Sequence, residues 1–165
     1  MSCKLKEKYN IYDIISKDKL DLVNKPISKA RGLPNECYNS TEYSKIERKK
    51  LFENKWVVVG VASSIPNIGD AKPFSLQDIP LIFLRNKNNQ IKVFHNVCSH
   101  RGHKILKKSC SEKKILKCPY HSWTYNLNGN LISTPHIGGM NKHEHKNFNK
   151  SSSGLKEVRS HVWLD

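Results

Sequence analysis

The sequence predicts a mainly β protein: an antiparallel β sandwich or barrel with two loops at one tip, preceded by a short helix and an N-terminal arm. Three observations lead there. From Trp56 onward, short β-branched and aromatic runs replace helical spacing. Turn signals separate these runs at close intervals, Asn128-Gly129 being the strongest short hairpin signal in the chain. Two compact Cys/His clusters, Cys98-Ser99-His100 and Cys118-Pro119-Tyr120-His121, each follow a predicted strand directly.

Taken in order, residues 1–40 are polar and weakly periodic, with Pro26 and Pro34 as breakers, and are expected to form an arm. Residues 41–55 hold a helix. Thr41 or Ser44 can cap it, Ser44 with Glu47 makes a capping-box pattern, and Tyr43, Ile46, Lys50 and Leu51 share one narrow face. Residues 56–165 form the β domain. Trp56-Val57-Val58-Val59-Gly60-Val61 is predicted to be a buried strand, and 65–80, with Pro66, Gly69, Pro73 and Pro80, a long loop. Leu81-Ile82-Phe83-Leu84 and Ile91-Lys92-Val93-Phe94 flank a polar turn and read as a hairpin. Lys114-Ile115-Leu116-Lys117 is a short strand; 122–125 and 131–133 form a second hairpin; 155–165 alternates like a strand.

Composition narrows the function. A chain of 165 residues allows one domain plus an appendage. The net charge of +15 comes from 24 Lys and 5 Arg spread along the chain, without the interleaved aromatics of a stacking platform, so nucleic acid is not expected as a partner. No apolar run reaches the ~20 residues of a membrane span, and MSCKLKEKYN has no apolar stretch of a secretory signal. Cys3, Cys37 and Cys110 have no framework spacing and read as free thiols of a reducing, cytoplasmic compartment.

The two clusters carry the chemistry. Each offers one thiolate and one imidazole, and seventeen residues separate His100 from Cys118. Neither loop can complete a metal site alone; together they suit an iron–sulfur centre with two Cys on one iron and two His on the other. A Cys2His2 zinc site is the competing reading, but its usual order places both Cys before both His.

The loops Cys98-Ser99-His100-Arg101-Gly102-His103 and Cys118-Pro119-Tyr120-His121-Ser122-Trp123-Thr124-Tyr125 closely resemble those of Rieske [2Fe-2S] domains, over about residues 42–165. In particular they are similar to the N-terminal part of Rieske non-haem iron oxygenase large subunits, the ring-hydroxylating and quaternary-amine-oxidising group. The family usually has Pro where this chain has Ser99 and often Gly where it has Ser122. The resemblance implies that Cys98, His100, Cys118 and His121 bind the cluster. It implies supporting positions at Arg101, Gly102 (close backbone approach), His103, Pro119 (loop shape), Tyr120 and Trp123 (a shield from water). Respiratory Rieske proteins carry a disulfide between Cys at the positions of His103 and Tyr120, and a Ser hydroxyl at that of Trp123. Their loss implies the lower-potential, oxygenase-type centre.

It further implies one-electron transfer to a mononuclear Fe(II) site in a catalytic domain, a reductase or ferredoxin as donor, and a homo-oligomer. That iron needs a two-His, one-carboxylate triad. The only compact candidate, His143-Glu144-His145, lies on a polar stretch that reads as a solvated loop, so no catalytic residue is assigned within the 165 residues and the chain is expected to be truncated before the catalytic domain. A stand-alone Rieske ferredoxin and a zinc-stabilised binding module are the alternatives. Lys104, Lys107 and Lys108 read as a solvated face, with docking of an acidic redox partner as the second possibility.

Overall fold

The computed structural model describes residues 10–164, so Cys3 and Asp165 lie outside the described residues. The chain divides into two compact units between Val58 and Val59.

The first unit is helical. Where a polar arm is expected, a helix α1 (Lys17–Val23) and a single turn α2 (Glu36–Asn39) form. At seven and four residues they are too short to show a helical period in the sequence. The expected helix is α3 (Thr41–Glu47), continued by a π-type turn at Arg48–Phe52. Its cap is Ser40, one residue earlier than predicted; the Ser40 hydroxyl accepts from the Tyr43 N–H at 3.1 Å. Ile46 is buried, while Lys50 and Leu51, on the π-type turn, are exposed, because that turn departs from the 3.6-residue spacing that would keep them on its face.

The second unit is two antiparallel sheets, as the sequence predicts. The first has the order β1 (Ala71–Leu76), β2 (Ile79–Arg85), β3 (Ile91–His95), β7 (Glu157–Val158). The second is β4 (Ile115–Lys117), β5 (Thr124–Asn126), β6 (Leu131–Ser133). Ile82, Leu84 and Phe94 of the first sheet share a core with Leu116, Tyr125 and Leu131 of the second. The opposite face of β2 and β3, Leu81, Phe83 and Val93, is covered by Ile65, with Phe74, Leu76 and Val158 around it. Burial on both faces explains why β2 is continuously apolar rather than alternating.

Three expectations are corrected. Strand β1 lies inside the predicted 65–80 loop. It is an edge strand, where Pro73 costs no central ladder bond, and it turns into β2 through Gln77-Asp78, with Gln77 at φ +54° in place of the usual Gly or Asn. The run 56–61 joins neither sheet; Trp56, Val58 and Val61 are exposed. Strand propensity expresses itself only against a partner ladder. The terminal strand shortens to Glu157–Val158, paired with Phe94 and Val93, and Val162, Trp163 and Leu164 are exposed.

The predicted hairpins stand. β2 and β3 pair Arg85 with Ile91, and the Asn86 carbonyl side chain accepts from the Asn88 and Gln90 N–H groups. In the second hairpin Asn126 does the same for Asn128 and Asn130. The Asn86 amide donates to Asn128 Oδ1 at 2.9 Å, tying the two turns together.

Candidate metal centre

The two Cys/His loops close in the same way. The Cys98 N–H donates to the His103 carbonyl, and the Gly102 N–H to the Cys98 carbonyl, both at 2.9 Å. The Cys118 N–H donates to the Trp123 carbonyl at 2.8 Å, and the Ser122 N–H to the Cys118 carbonyl at 3.0 Å. Each Cys is thus held at both backbone groups by residues four and five further on. The fourth position must take a left-handed conformation: Gly102 has φ +71° and Ser122 φ +59°. No protein atom lies within 4 Å of where a Cβ on Gly102 would stand, so among the protein's own atoms it is the turn that calls for glycine here. Ser122 bears the same turn at a cost of about 1 kcal/mol for its Cβ. Ser122→Gly is therefore expected to raise the melting temperature by about 2–5 °C; calorimetry checks it, and a fall would show that the serine side chain contributes more than its backbone costs.

The loops bring the four predicted ligands together as two pairs. Cys98 and Cys118 are both 2% exposed. Burial, and the neighbouring Cys98, push the Cys118 thiol up. The His100 and His121 rings lie 4.7 Å apart in an edge-to-face arrangement. Burial holds the His100 imidazole below its ordinary range, with the charges of His121 and Arg101 adding to the effect; a neutral imidazole is the form a metal takes. Around them, Trp123 stacks on His100 with centroids 4.7 Å apart and 14° between planes, and its other edge meets Phe148. Tyr120 lies against His121 and also contacts His103, at 5.7 Å. His103 and Tyr120, the positions matched to the respiratory disulfide, thus meet as a ring pair between the loops. Arg101 and Pro119 are exposed.

Whether an iron–sulfur cluster fits can be judged from the donors. Nδ1 of His121 is buried and has no hydrogen-bond partner among the described residues, an uncommon state for a buried polar atom and one that a metal bond would relieve. Two thiols at one point and two imidazoles at another suit two irons with two protein ligands each. Among the described residues no group of three or more His, Cys, Asp or Glu side chains gathers as a single-ion site.

The sequence reading missed Tyr125 and the far wall of the site. Tyr125 is fully buried, and its hydroxyl lies 3.2 Å from Cys98 Sγ and 2.9 Å from Ser99 Oγ while accepting the Ser99 N–H at 3.1 Å. Burial, then Cys98, pushes its pKa up to about 12. A phenol raised from 10 contributes stability fully present below pH 10 and lost as pH rises towards 12. The metal-free protein is therefore expected to lose stability across that window, and Tyr125→Phe to lose less there; thermal melts against pH test it. On the open side, His100 and His121 line a cavity of about 750 Å³ whose far wall includes Pro135, Ile137, Phe148 and Ser153. His143, Glu144 and His145 are exposed, but the stretch they occupy is not wholly solvated: Phe148 packs on the core. That lone aromatic was the available signal.

Two sheets that offer thiols and imidazoles in matched pairs from two twin loops have the construction of an iron–sulfur domain with mixed Cys/His ligation. Comparison with known proteins agrees. The Rieske [2Fe-2S] domain family matches residues 55–144, more than half of the chain. Choline monooxygenase of Arabidopsis thaliana chloroplasts is 33% identical over 84% of this chain and 31% of its own length. The 2-aminobenzenesulfonate 2,3-dioxygenase alpha subunit of an Alcaligenes species is 31% identical over 84% of this chain and 34% of its own. The crystal structure of a quaternary ammonium Rieske monooxygenase in its apo form superposes with a TM-score of 0.69 at 27% identity, over 79% of this chain and 36% of that one. The chain belongs to the Rieske [2Fe-2S] domain family, and it spans about a third of the length of these relatives.

Proposed function

We propose that this chain is the electron-entry domain of a Rieske-type oxygenase, with Cys98 and Cys118 on one iron of a [2Fe-2S] cluster and His100 and His121 on the other. Such a cluster, when bound, takes up and releases single electrons. The observation that carries the reading is the buried Nδ1 of His121, which has no partner among the described residues, beside His100 in twin loops that bury both thiols. The thiol side is enclosed by Leu116, Trp123, Tyr125 and their neighbours, whereas the imidazole side opens on the cavity. Electron exit is thereby directed through the His100 and His121 edge.

The acceptor on this reading is a mononuclear iron(II) in a catalytic domain, within the two-thirds of the relatives' length that these residues do not span. The donor is a reductase or ferredoxin, and the assembly a cytoplasmic homo-oligomer. Substrates follow the two chemistries of the relatives' names, a quaternary amine or an aromatic ring. Among the described residues no helix is long and apolar enough to cross a membrane. A stand-alone electron carrier is the second reading, favoured by the site's lying wholly within these residues.

Anaerobic reconstitution with iron and sulfide, followed by EPR of the reduced protein, tests the reading. A Rieske-type signal is the expected result. Its absence, with tightly bound zinc by elemental analysis, would overturn it in favour of a zinc-stabilised module.

A further inference from the structure

Tyr125 has one hydroxyl proton and two acceptors within reach, Cys98 Sγ at 3.2 Å and Ser99 Oγ at 2.9 Å. Ser99 decides between them. Its own hydroxyl proton is committed, because the atom it meets on the other side is the Ser153 carbonyl oxygen, which can only accept. The Tyr125–Ser99 contact must then be made with the phenol proton. The Ser99 N–H already occupies one lone pair of the Tyr125 oxygen. In this arrangement the proton that could reach the sulfur points to Ser99, and a chain runs from Tyr125 O–H through Ser99 Oγ–H to the Ser153 carbonyl. Each link polarises the next, which strengthens the Ser99 oxygen as an acceptor. A cysteine that binds iron is a thiolate with no proton of its own, so it cannot supply the missing bond.

We propose that Ser99 is a positioning residue that withholds the Tyr125 proton from the Cys98 sulfur and so keeps the reduction potential of the cluster low. The inference rests on the cluster assignment above. A hydrogen bond to a cluster sulfur favours the reduced, more negative state and raises the potential; diverting the donor does the opposite. The effect belongs to this chain's own sequence, since proline, the family's usual residue here, has no hydroxyl to divert it. It also ties the site to the turn Lys150–Ser153, whose last carbonyl anchors the chain.

The test is a redox titration of the reconstituted protein and four variants. Ser99→Ala keeps the backbone N–H on Tyr125 but removes the competing oxygen. It is expected to favour reduction about tenfold, a rise of about 59 mV for a one-electron couple. Ser99→Thr keeps the hydroxyl and is expected to titrate with the parent protein. Tyr125→Phe removes the shared donor and is expected to leave the potential near that of the parent, and Ser99→Ala added to Tyr125→Phe to produce no further rise. An unchanged or lowered potential in Ser99→Ala, or a rise that persists in the double variant, would overturn the proposal. Loss of the reduced-state EPR signal in the parent protein would instead overturn the cluster assignment, so the two failures are distinguishable.

Discussion

Cys118→Ala is expected to abolish the reduced-state EPR signal of the reconstituted protein and to leave the two sheets folded. Cys118 is 2% exposed and sits in a core with Leu116, Trp123, Tyr125 and Leu131. The substitution removes one sulfur atom from that core, a loss on the order of 1 kcal/mol. The loop's two backbone bonds, to the Trp123 carbonyl and from the Ser122 N–H, do not involve the side chain. The chemical loss is far larger than the packing loss. One iron of a [2Fe-2S] cluster would be left with a single protein ligand, Cys98, and a cluster with half its thiolates would not be retained. Far-ultraviolet circular dichroism and a thermal melt of the metal-free variant check the fold; EPR checks the cluster. The zinc alternative predicts otherwise. There the metal's binding energy is folding energy, and removing one ligand would unfold the region around both loops. A folded, signal-free variant supports the iron–sulfur reading, and a retained signal sinks the assignment of Cys118.

The candidate ligands stand out in the sequence because ligand chemistry restricts residue type: a thiolate and an imidazole have few substitutes, and their spacing survives in the chain as text. The hairpins were legible for a similar reason, since the Asn86 and Asn128-Gly129 turns need particular residues at particular places. What escaped was set by tertiary context. Gln77 at φ +54° has no turn signature, so β1 and its edge proline were hidden in a supposed loop. The valines of 56–61 have the propensity of a strand but no ladder to enter. Nothing in the sequence assigns Tyr125 a role; only its position across the sheet, against Cys98 and Ser99, makes its hydroxyl part of the site. The equivalence of Gly102 and Ser122 was present in the sequence as equal offsets from Cys98 and Cys118. It took the backbone bonds to show that the two loops share one frame offset and differ in where the histidine sits, two residues on in one and three in the other.

Gly69→Ala is expected to cause the largest loss of stability of any single methyl group added to the β unit. Gly69 has φ +88°, and a Cβ there would lie 2.2 Å from the Lys113 carbonyl oxygen, 2.5 Å from the Lys113 nitrogen and 2.7 Å from the Glu112 carbonyl carbon. These are backbone atoms, so no side chain can swing aside. Nor can the strand retreat. Gly69 N–H donates to the Arg85 carbonyl at 2.9 Å and its carbonyl accepts from Lys113 at 3.0 Å. Asp70, next in the chain, accepts from the Glu112 N–H with one oxygen and from the Asn67 N–H with the other, at 3.0 and 2.9 Å; these bonds, the Asn67 one foremost, hold its carboxyl below the usual range. Ala71 then exchanges backbone bonds with Cys110. Three successive residues thus stitch the start of β1 to 110–113, the segment that carries the chain from the first Cys/His loop to β4 and the second. Clash and backbone strain together place the cost at about 4 kcal/mol or more, in the range reserved for such lesions. The melting temperature should fall by roughly 10–20 °C. Because the displaced segment joins the two loops, cluster occupancy should fall with it, even below the melting transition. Calorimetry and iron content per chain measure the two effects. A melting temperature within a few degrees of the parent's would show that this junction yields, and that the loops are held in register by something other than the stitch at 69–71.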